Sequence, residues 1–324
     1  MNLRRTLVGL SLRRMNIDRW AVVYLLLSAF YTVLGPGVVQ RPWAYVGLHA
    51  AMALGVWFVP PLLRGSRFFL PRLLGEIYLP LLFPLFYAEL AYLGLIFFEF
   101  EHSLDPSLIR LEEWLFGGQP SLEWSRAWPW PWFHELMEFA YFSYYFLAAA
   151  FLLLVFRARV MVETERWDVV RDFVRDLSVT MLVCYTMYAF LPAWGPKYFR
   201  AGYVEVGGWI FTDIMRHIHE NGALLGAAFP SSHVAASMIP WWYTWRLFPR
   251  QRWWMTTIFV LLCMSTVYNR YHYVVDVIAG ALLAGIVLKV GEHLGDTARD
   301  SLRPARLRSG LARARRLVKR TPRP

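Results

Sequence analysis

Phe229-Pro230-Ser231-Ser232-His233 opens one strongly apolar run, and Tyr268-Asn269-Arg270-Tyr271-His272, followed by Asp276, opens a later one. Histidine, arginine and aspartate are costly to place at the edge of a bilayer, so such groups mark function there. The surrounding composition says that a bilayer is the right setting. The chain has 324 residues, 57% of them hydrophobic and 17% aromatic, with a mean hydropathy of +0.35. Soluble domains average about 45–50% apolar. A helical span needs about 20 apolar residues. Runs of that kind lie near 20–39, 43–63, 77–98, 134–156, 174–191, 233–248, 254–269 and 273–291. The expectation is an all-α polytopic membrane protein of about eight transmembrane helices. Trp and Tyr crowd the span ends, as interfacial anchors do.

The loops orient the spans. Arg64, Arg67 and Arg72 lie between the second and third, and Arg157, Arg159, Arg166, Arg171 and Arg175 between the fourth and fifth. Arg246, Arg250 and Arg252 lie between the sixth and seventh. The net charge of +11 comes largely from a basic start and a basic tail. Placing both termini in the cytoplasm puts every arginine-rich loop there too, as the positive-inside rule asks. A bacterial inner membrane suits this pattern. The basic ends then face anionic headgroups, and no nucleic-acid-binding pattern accompanies the charge. Cys184 and Cys263 fall in apolar runs and read as packing thiols. The N-terminus shows no cleavable signal pattern.

The opposite, extracytoplasmic face then receives 99–133, 192–232 and the turn near 270. Within the first segment, 105–116 reads as an interfacial helix. Leu108, Leu111, Leu115 and Phe116 form one side, with Arg110, Glu112 and Glu113 elsewhere. It is either a solvated connector on the bilayer or a gate over a site.

His233 and the pair His272 and Asp276 begin their spans on this same face. His272 and Asp276 are spaced to share one side of a helix. A carboxylate there can take one imidazole N–H, fix the tautomer and leave the other nitrogen as a nucleophile. Pro230 suits a helix start, and Ser231 or Ser232 can cap it, with free N–H groups favouring an anion. His233 is then placed to protonate a leaving alkoxide and later to activate an acceptor. Arg270 offers a forked donor for phosphate oxygens. Lys197 and Arg200, in Leu191-Pro192-Ala193-Trp194-Gly195-Pro196-Lys197-Tyr198-Phe199-Arg200, add charge from the end of the fifth span. The plain alternative for these two is that of interfacial cations. Phosphoryl transfer rests on such positioning and charge stabilisation. His217 with His219, and His134 with Glu138, each lack a third metal ligand.

These three blocks resemble those of the type 2 phosphatidic acid phosphatase superfamily, and most of all its branch containing the fungal inositol phosphorylceramide synthases. The second block reads Pro230-Ser231-Ser232-His233. The third reads Ser265, Thr266, five residues, His272, three residues and Asp276, with Thr266 where the family has arginine. The first block lacks the usual Lys-x6-Arg-Pro spacing, and Leu115-Phe116-Gly117-Gly118 also looks like the synthase branch. The resemblance runs over roughly 77–291. It implies a six-helix catalytic core, set here at 67–292, after an N-terminal part, 1–66, with two extra spans, and before a basic tail, 293–324. It implies His272 as a nucleophile forming phosphohistidine, Asp276 as its orienter and His233 as proton donor, with no metal and no cofactor. The expected substrate is a phospholipid or other lipid phosphate. The acceptor is an alcohol such as inositol or a lipid alcohol, or else water, which makes the protein a phosphatase. A membrane anion carrier is the rival from another class, but the charged groups gather at one interface instead of spreading through the spans. An inactive scaffold is a second rival, opposed by the intact His233, His272 and Asp276.

Overall fold

The computed structural model describes residues 17–294 apart from 35–40, 94–95, 97–102, 160, 200–205, 223 and 225. The described residues fold into helices, with one isolated bridge pair and no strand among them. In chain order these are α1 (Ile17–Val33), α2 (Pro42–Arg64), α3 (Phe69–Leu93), α4 (Asp105–Phe116), α5 (Pro120–Ala127) and α6 (Pro131–Phe142). They continue with α7 (Tyr144–Arg157), α8 (Glu163–Phe190), α9 (Ile210–Gly222), α10 (Ser232–Leu247), α11 (Arg252–Tyr268) and α12 (Val274–Leu294). A 3-10 turn, Pro196–Tyr198, follows α8. Every apolar run read from the sequence contributes a helix or a helix pair. The N-terminal arm and the basic tail lie outside the described residues.

Among the described residues three helices are long and apolar enough to cross a membrane, α2, α3 and α12, and the bent pair of α6 and α7, taken as one span, brings these to four. Their outward faces carry large apolar side chains such as Leu62, Leu81, Leu282 and Ile286, as lipid-facing helices do. The chain is a helical integral membrane protein. α3 holds Pro80 and Pro84 inside its length, which neighbouring helices make tolerable. α8 runs through the centre. Phe173, Cys184, Tyr185 and Tyr188 on it are almost fully buried in the main core, with Leu79, Phe86, Phe151 and Ile239 from its neighbours.

α6 and α7 bend by 53° at Ser143, whose hydroxyl donates to the Ala140 carbonyl at 2.6 Å. A side chain bonding back into the preceding turn bends a helix in this way. Tyr141 and Tyr144, flanking the bend, both pack on His233 of α10.

Arginines gather at the end away from both histidine motifs. The Arg64 guanidinium grips Asp18 with two bonds of 2.6 Å, and Arg171 reaches Glu76 at 2.9 Å. Arg175 bonds Asp172 at 2.6 Å and Asp176 at 2.9 Å. Tyr243 closes this cluster on Asp176 at 2.8 Å. Forked arginine–carboxylate pairs of this kind fix helix register as well as adding energy.

The helix over 105–116 is present, but its polar side is not where the sequence put it. Glu112, expected away from the packed face, is fully buried, as is Asp105, while Leu111, Leu115 and Phe116 are exposed. The two carboxylates face inward because backbone N–H groups of other elements need acceptors there.

Candidate active site

The second and third motifs meet where α10 and α12 begin. Gly280 lies one turn after Asp276 on α12, and its missing side chain leaves room for the backbone of Ser231. The Ser231 N–H donates to the Asp276 carbonyl at 3.0 Å. Ser231 is the cap of α10, accepting from the Val234 N–H at 3.4 Å. The Ser232 N–H donates to the Tyr188 hydroxyl at 3.1 Å, and that hydroxyl donates to the Pro230 carbonyl at 2.8 Å. The start of α10 is thus tied to α8 and α12. The open N–H groups expected there for an anion are, at 231, 232 and 234, already engaged inside the protein.

Thr266 and the turn after α11 present His272. The Thr266 carbonyl accepts the N–H groups of both Tyr271 and His272 at 3.0 Å. Its own hydroxyl bonds back to the Cys263 carbonyl at 2.8 Å. Arg270 sits in the left-handed region at φ 61, a conformation a side chain disfavours by about 1–2 kcal/mol. Its guanidinium holds the carbonyls of Pro196 at 3.0 Å and Phe199 at 2.6 Å. Arg270 therefore braces the first block from the position just before Tyr271 and His272.

His272 is 3% exposed. Its Nδ1 lies 2.9 Å from the Ala228 carbonyl oxygen and 3.5 Å from Oδ2 of Asp276. A carbonyl only accepts, so Nδ1 carries a proton, and in the neutral ring the lone pair is on Nε2. The sequence reading gave this orienting role to Asp276 alone. The structure shares it with a backbone carbonyl, and Asp276 Oδ2 also accepts the Tyr273 N–H at 2.8 Å. That bond is half of a capping box on α12.

The His233 ring lies 5.7 Å from the His272 ring, centroid to centroid. The Tyr141 hydroxyl and His233 Nε2 are hydrogen-bonded at 2.9 Å. Tyr141 and Tyr144 pack their rings on His233 at 4.7 and 4.5 Å. His233 and His272 line one cavity of about 60 Å³ with Tyr141, Lys197, His219 and Tyr271. Lys197 Nζ stands 5.4 Å over the Tyr271 ring. Arg270 lines an adjoining cavity of about 390 Å³. Arg200 lies outside the described residues.

α4 locks the first and third blocks together. Asp105 accepts the N–H groups of Trp194 at 2.7 Å and Gly195 at 2.8 Å, and the Tyr273 hydroxyl at 3.0 Å. Gly195 has φ 88, and a Cβ there would lie 2.8 Å from the Tyr271 carbonyl oxygen. A bridge between Ala193 and Ala227 then lays the first block against the approach to the second. Glu112 accepts the Val274 N–H at the start of α12. Burial raises its carboxyl to about 7, opposed by that N–H bond and helped by the nearby Asp276.

Sequence reading missed Tyr141, Asp105, Glu112 and Tyr271. It named His219 only as a metal candidate. Burial, with the Lys197 charge adding, lowers His219 to about 3, so the ring is neutral where it packs on Tyr271 at 4.1 Å. Among the described residues no group of three His, Cys, Asp or Glu side chains is placed to hold a metal.

Two histidines, a carboxylate and a lysine thus converge at one end of a helical membrane bundle. The PAP2 superfamily model matches residues 106–290, more than half of the 324 residues, and the chain belongs to that superfamily. The match leaves α1 to α3 outside it. A PA-phosphatase related-family protein of Dictyostelium discoideum is 24% identical over 162 residues. That is 45% of this chain, which spans 29% of the relative's length. No solved structure matches the chain.

Proposed function

We propose that this chain is an integral membrane phosphotransferase acting on a lipid phosphate through a phosphohistidine on His272. One observation carries the reading. The Ala228 carbonyl holds the proton on His272 Nδ1 at 2.9 Å, which leaves Nε2 as a neutral nucleophile in a cavity shared with His233. In the first step Nε2 attacks phosphorus, the bond to the leaving oxygen breaks, and His233 gives that oxygen a proton. In the second step an acceptor hydroxyl passes its proton to His233, its oxygen attacks phosphorus, and the phosphorus–nitrogen bond breaks. Asp276, 3.5 Å away, stabilises the positive charge that His272 takes on. Lys197, in the histidine cavity, and Arg200 balance the charge of the phosphate oxygens, Arg270 adds positive charge from behind while it braces the first block, and Ser231 and Ser232 hold the helix start that carries His233.

An alcohol acceptor, of the kind used in the inositol phosphorylceramide synthase branch, is supported by Thr266 in place of the usual arginine. Water as acceptor is the second reading, favoured by the name of the Dictyostelium relative, a PA-phosphatase related-family protein. The proposed catalytic core is 67–292, with α1 and α2 added to it. The proposed arrangement in the membrane is about eight spans with the pocket on the extracytoplasmic side and both termini cytoplasmic. Arg64, Arg171 and Arg175 lie at the far end of the bundle, which supports that orientation.

The test reconstitutes the protein with phosphate-labelled phosphatidate and polyprenyl phosphate, with and without lipid alcohols. Label in a new lipid ester supports transfer, and label only in free phosphate supports the phosphatase. A donor left intact under every acceptor overturns both.

A further inference from the structure

The cavity of about 390 Å³ beside the histidine pocket is of ligand size, since small-molecule sites span about 300–1,000 Å³. Lys197, His219 and Tyr271 line both cavities. The larger one is therefore a second chamber behind the residue that precedes His272. Among its described lining, Val206 is the one aliphatic side chain, and the rest is polar, charged or aromatic. Arg216 and Glu220 at its rim are exposed on α9, and the chamber is open to a water-soluble molecule.

Two side chains of its wall carry buried polar atoms without partners among the described residues. Nδ2 and Oδ1 of Asn269 are both buried, and neither has a hydrogen-bond partner among the described residues. Nδ1 of His134 is in the same state. Glu138, 5% exposed, offers carboxyl oxygens bonded to the Tyr271 hydroxyl at 3.1 and 3.2 Å. An unpaired buried polar group costs about 1–3 kcal/mol, and native proteins keep such groups where a ligand or water completes them. Donor and acceptor sit side by side on the Asn269 amide, and a hydroxyl group is both. Lys197, Arg216 and Arg270 share the lining with Glu138 and Glu220, so both signs of charge are present.

We propose that this chamber binds a small neutral polyol as the alcohol that receives the phosphoryl group, an inference that rests on the phosphoryl-transfer reading of the adjoining pocket. One polyol hydroxyl gives its proton to His233. Its oxygen bonds to the phosphorus on His272, and the phosphorus–nitrogen bond breaks. The other hydroxyls bond Asn269, His134 and Glu138.

The experiment supplies full-length protein in vesicles with phosphate-labelled phosphatidate and glycerol, sorbitol or inositol, and compares Asn269→Leu and Glu138→Gln with the wild type. The expected result is a labelled polyol phosphate, with the ratio of transfer to hydrolysis reduced about tenfold or more in Asn269→Leu. Glu138→Gln, which keeps the shape, is expected to lower the same ratio and covers the case in which Asn269→Leu does not fold. Labelled free phosphate with no polyol phosphate overturns the polyol site and leaves the histidine mechanism standing. Polyol phosphate formed at an unchanged ratio in every variant that folds overturns the chamber as its location. If wild type and His272→Ala release label alike, the underlying mechanism fails, and the inference fails with it.

Discussion

His272 donates its Nδ1–H to the backbone carbonyl of Ala228 at 2.9 Å, while the Asp276 carboxylate stands further off at 3.5 Å. The tautomer is therefore held by backbone, and the carboxylate contributes charge. His272→Ala is expected to lose nearly all turnover with the fold intact. Asp276→Asn keeps an oxygen for the Tyr273 N–H and removes only the charge, so the loss is expected near 10²-fold. Turnover of a labelled lipid phosphate, with circular dichroism as the control, measures both. Wild-type turnover in purified His272→Ala would sink the mechanism.

Tyr141 hydrogen-bonds His233 Nε2 at 2.9 Å and packs its ring on the same imidazole. Tyr141→Phe keeps the ring and loses the hydroxyl. A positioned acid–base group contributes about 10² to 10⁴-fold, and a ring that loses its orienting bond gives up part of that. The change is expected in kcat, with KM for the lipid nearly unaltered. A fall in KM-dependent terms alone would assign Tyr141 to binding.

Asp105 gathers the N–H groups of Trp194 and Gly195 and the Tyr273 hydroxyl around one buried carboxylate. Asp105→Asn turns one of those oxygens into a donor facing donors. A destabilisation of about 1–3 kcal/mol is expected, together with reduced activity as the first block loosens from the third. Thermal unfolding in detergent, paired with turnover, reads both effects. An unchanged midpoint would show that α4 is an ornament of the fold and not a brace.

Glu112 gives a pH-dependent stability. Burial raises its carboxyl from 4.5 to about 7 in the folded protein. The folded state therefore holds the proton more tightly than the unfolded state. The stability this provides is full below about pH 4.5 and is lost as pH rises through about 7. Glu112→Gln has no proton to lose. The melting temperature of the variant, measured against the wild type, is expected to gain as pH rises across that window. A gap between the two that stays constant across that window would contradict the assignment.

Much of the fold was legible in the chain. Apolar runs of span length must satisfy their own backbone in lipid, and helices do so; every such run contributes a helix or, at Ser143, a bent pair. The helix over 105–116 was readable from its spacing. Its burial was not, because Asp105 and Glu112 look like solvent-facing acids until the N–H groups of residues 194, 195 and 274 are brought to them. His233, His272 and Asp276 announced themselves by sitting at the mouths of apolar runs. Tyr141 did not, since one tyrosine among the 17 in the chain carries no local signal of its partner.

Residue types and their periodicity thus determined a helical membrane chain with two histidines and an aspartate at one interface, because hydropathy and charge sidedness are local properties. Only the tertiary structure decided what holds those side chains. The Ala228 carbonyl lies 44 positions from His272, the Tyr141 hydroxyl 92 from His233, and Asp105 168 from Tyr273. Partners so distant in sequence meet only when the helices pack, since no short-range pattern encodes which backbone carbonyl or buried carboxylate will face a given imidazole.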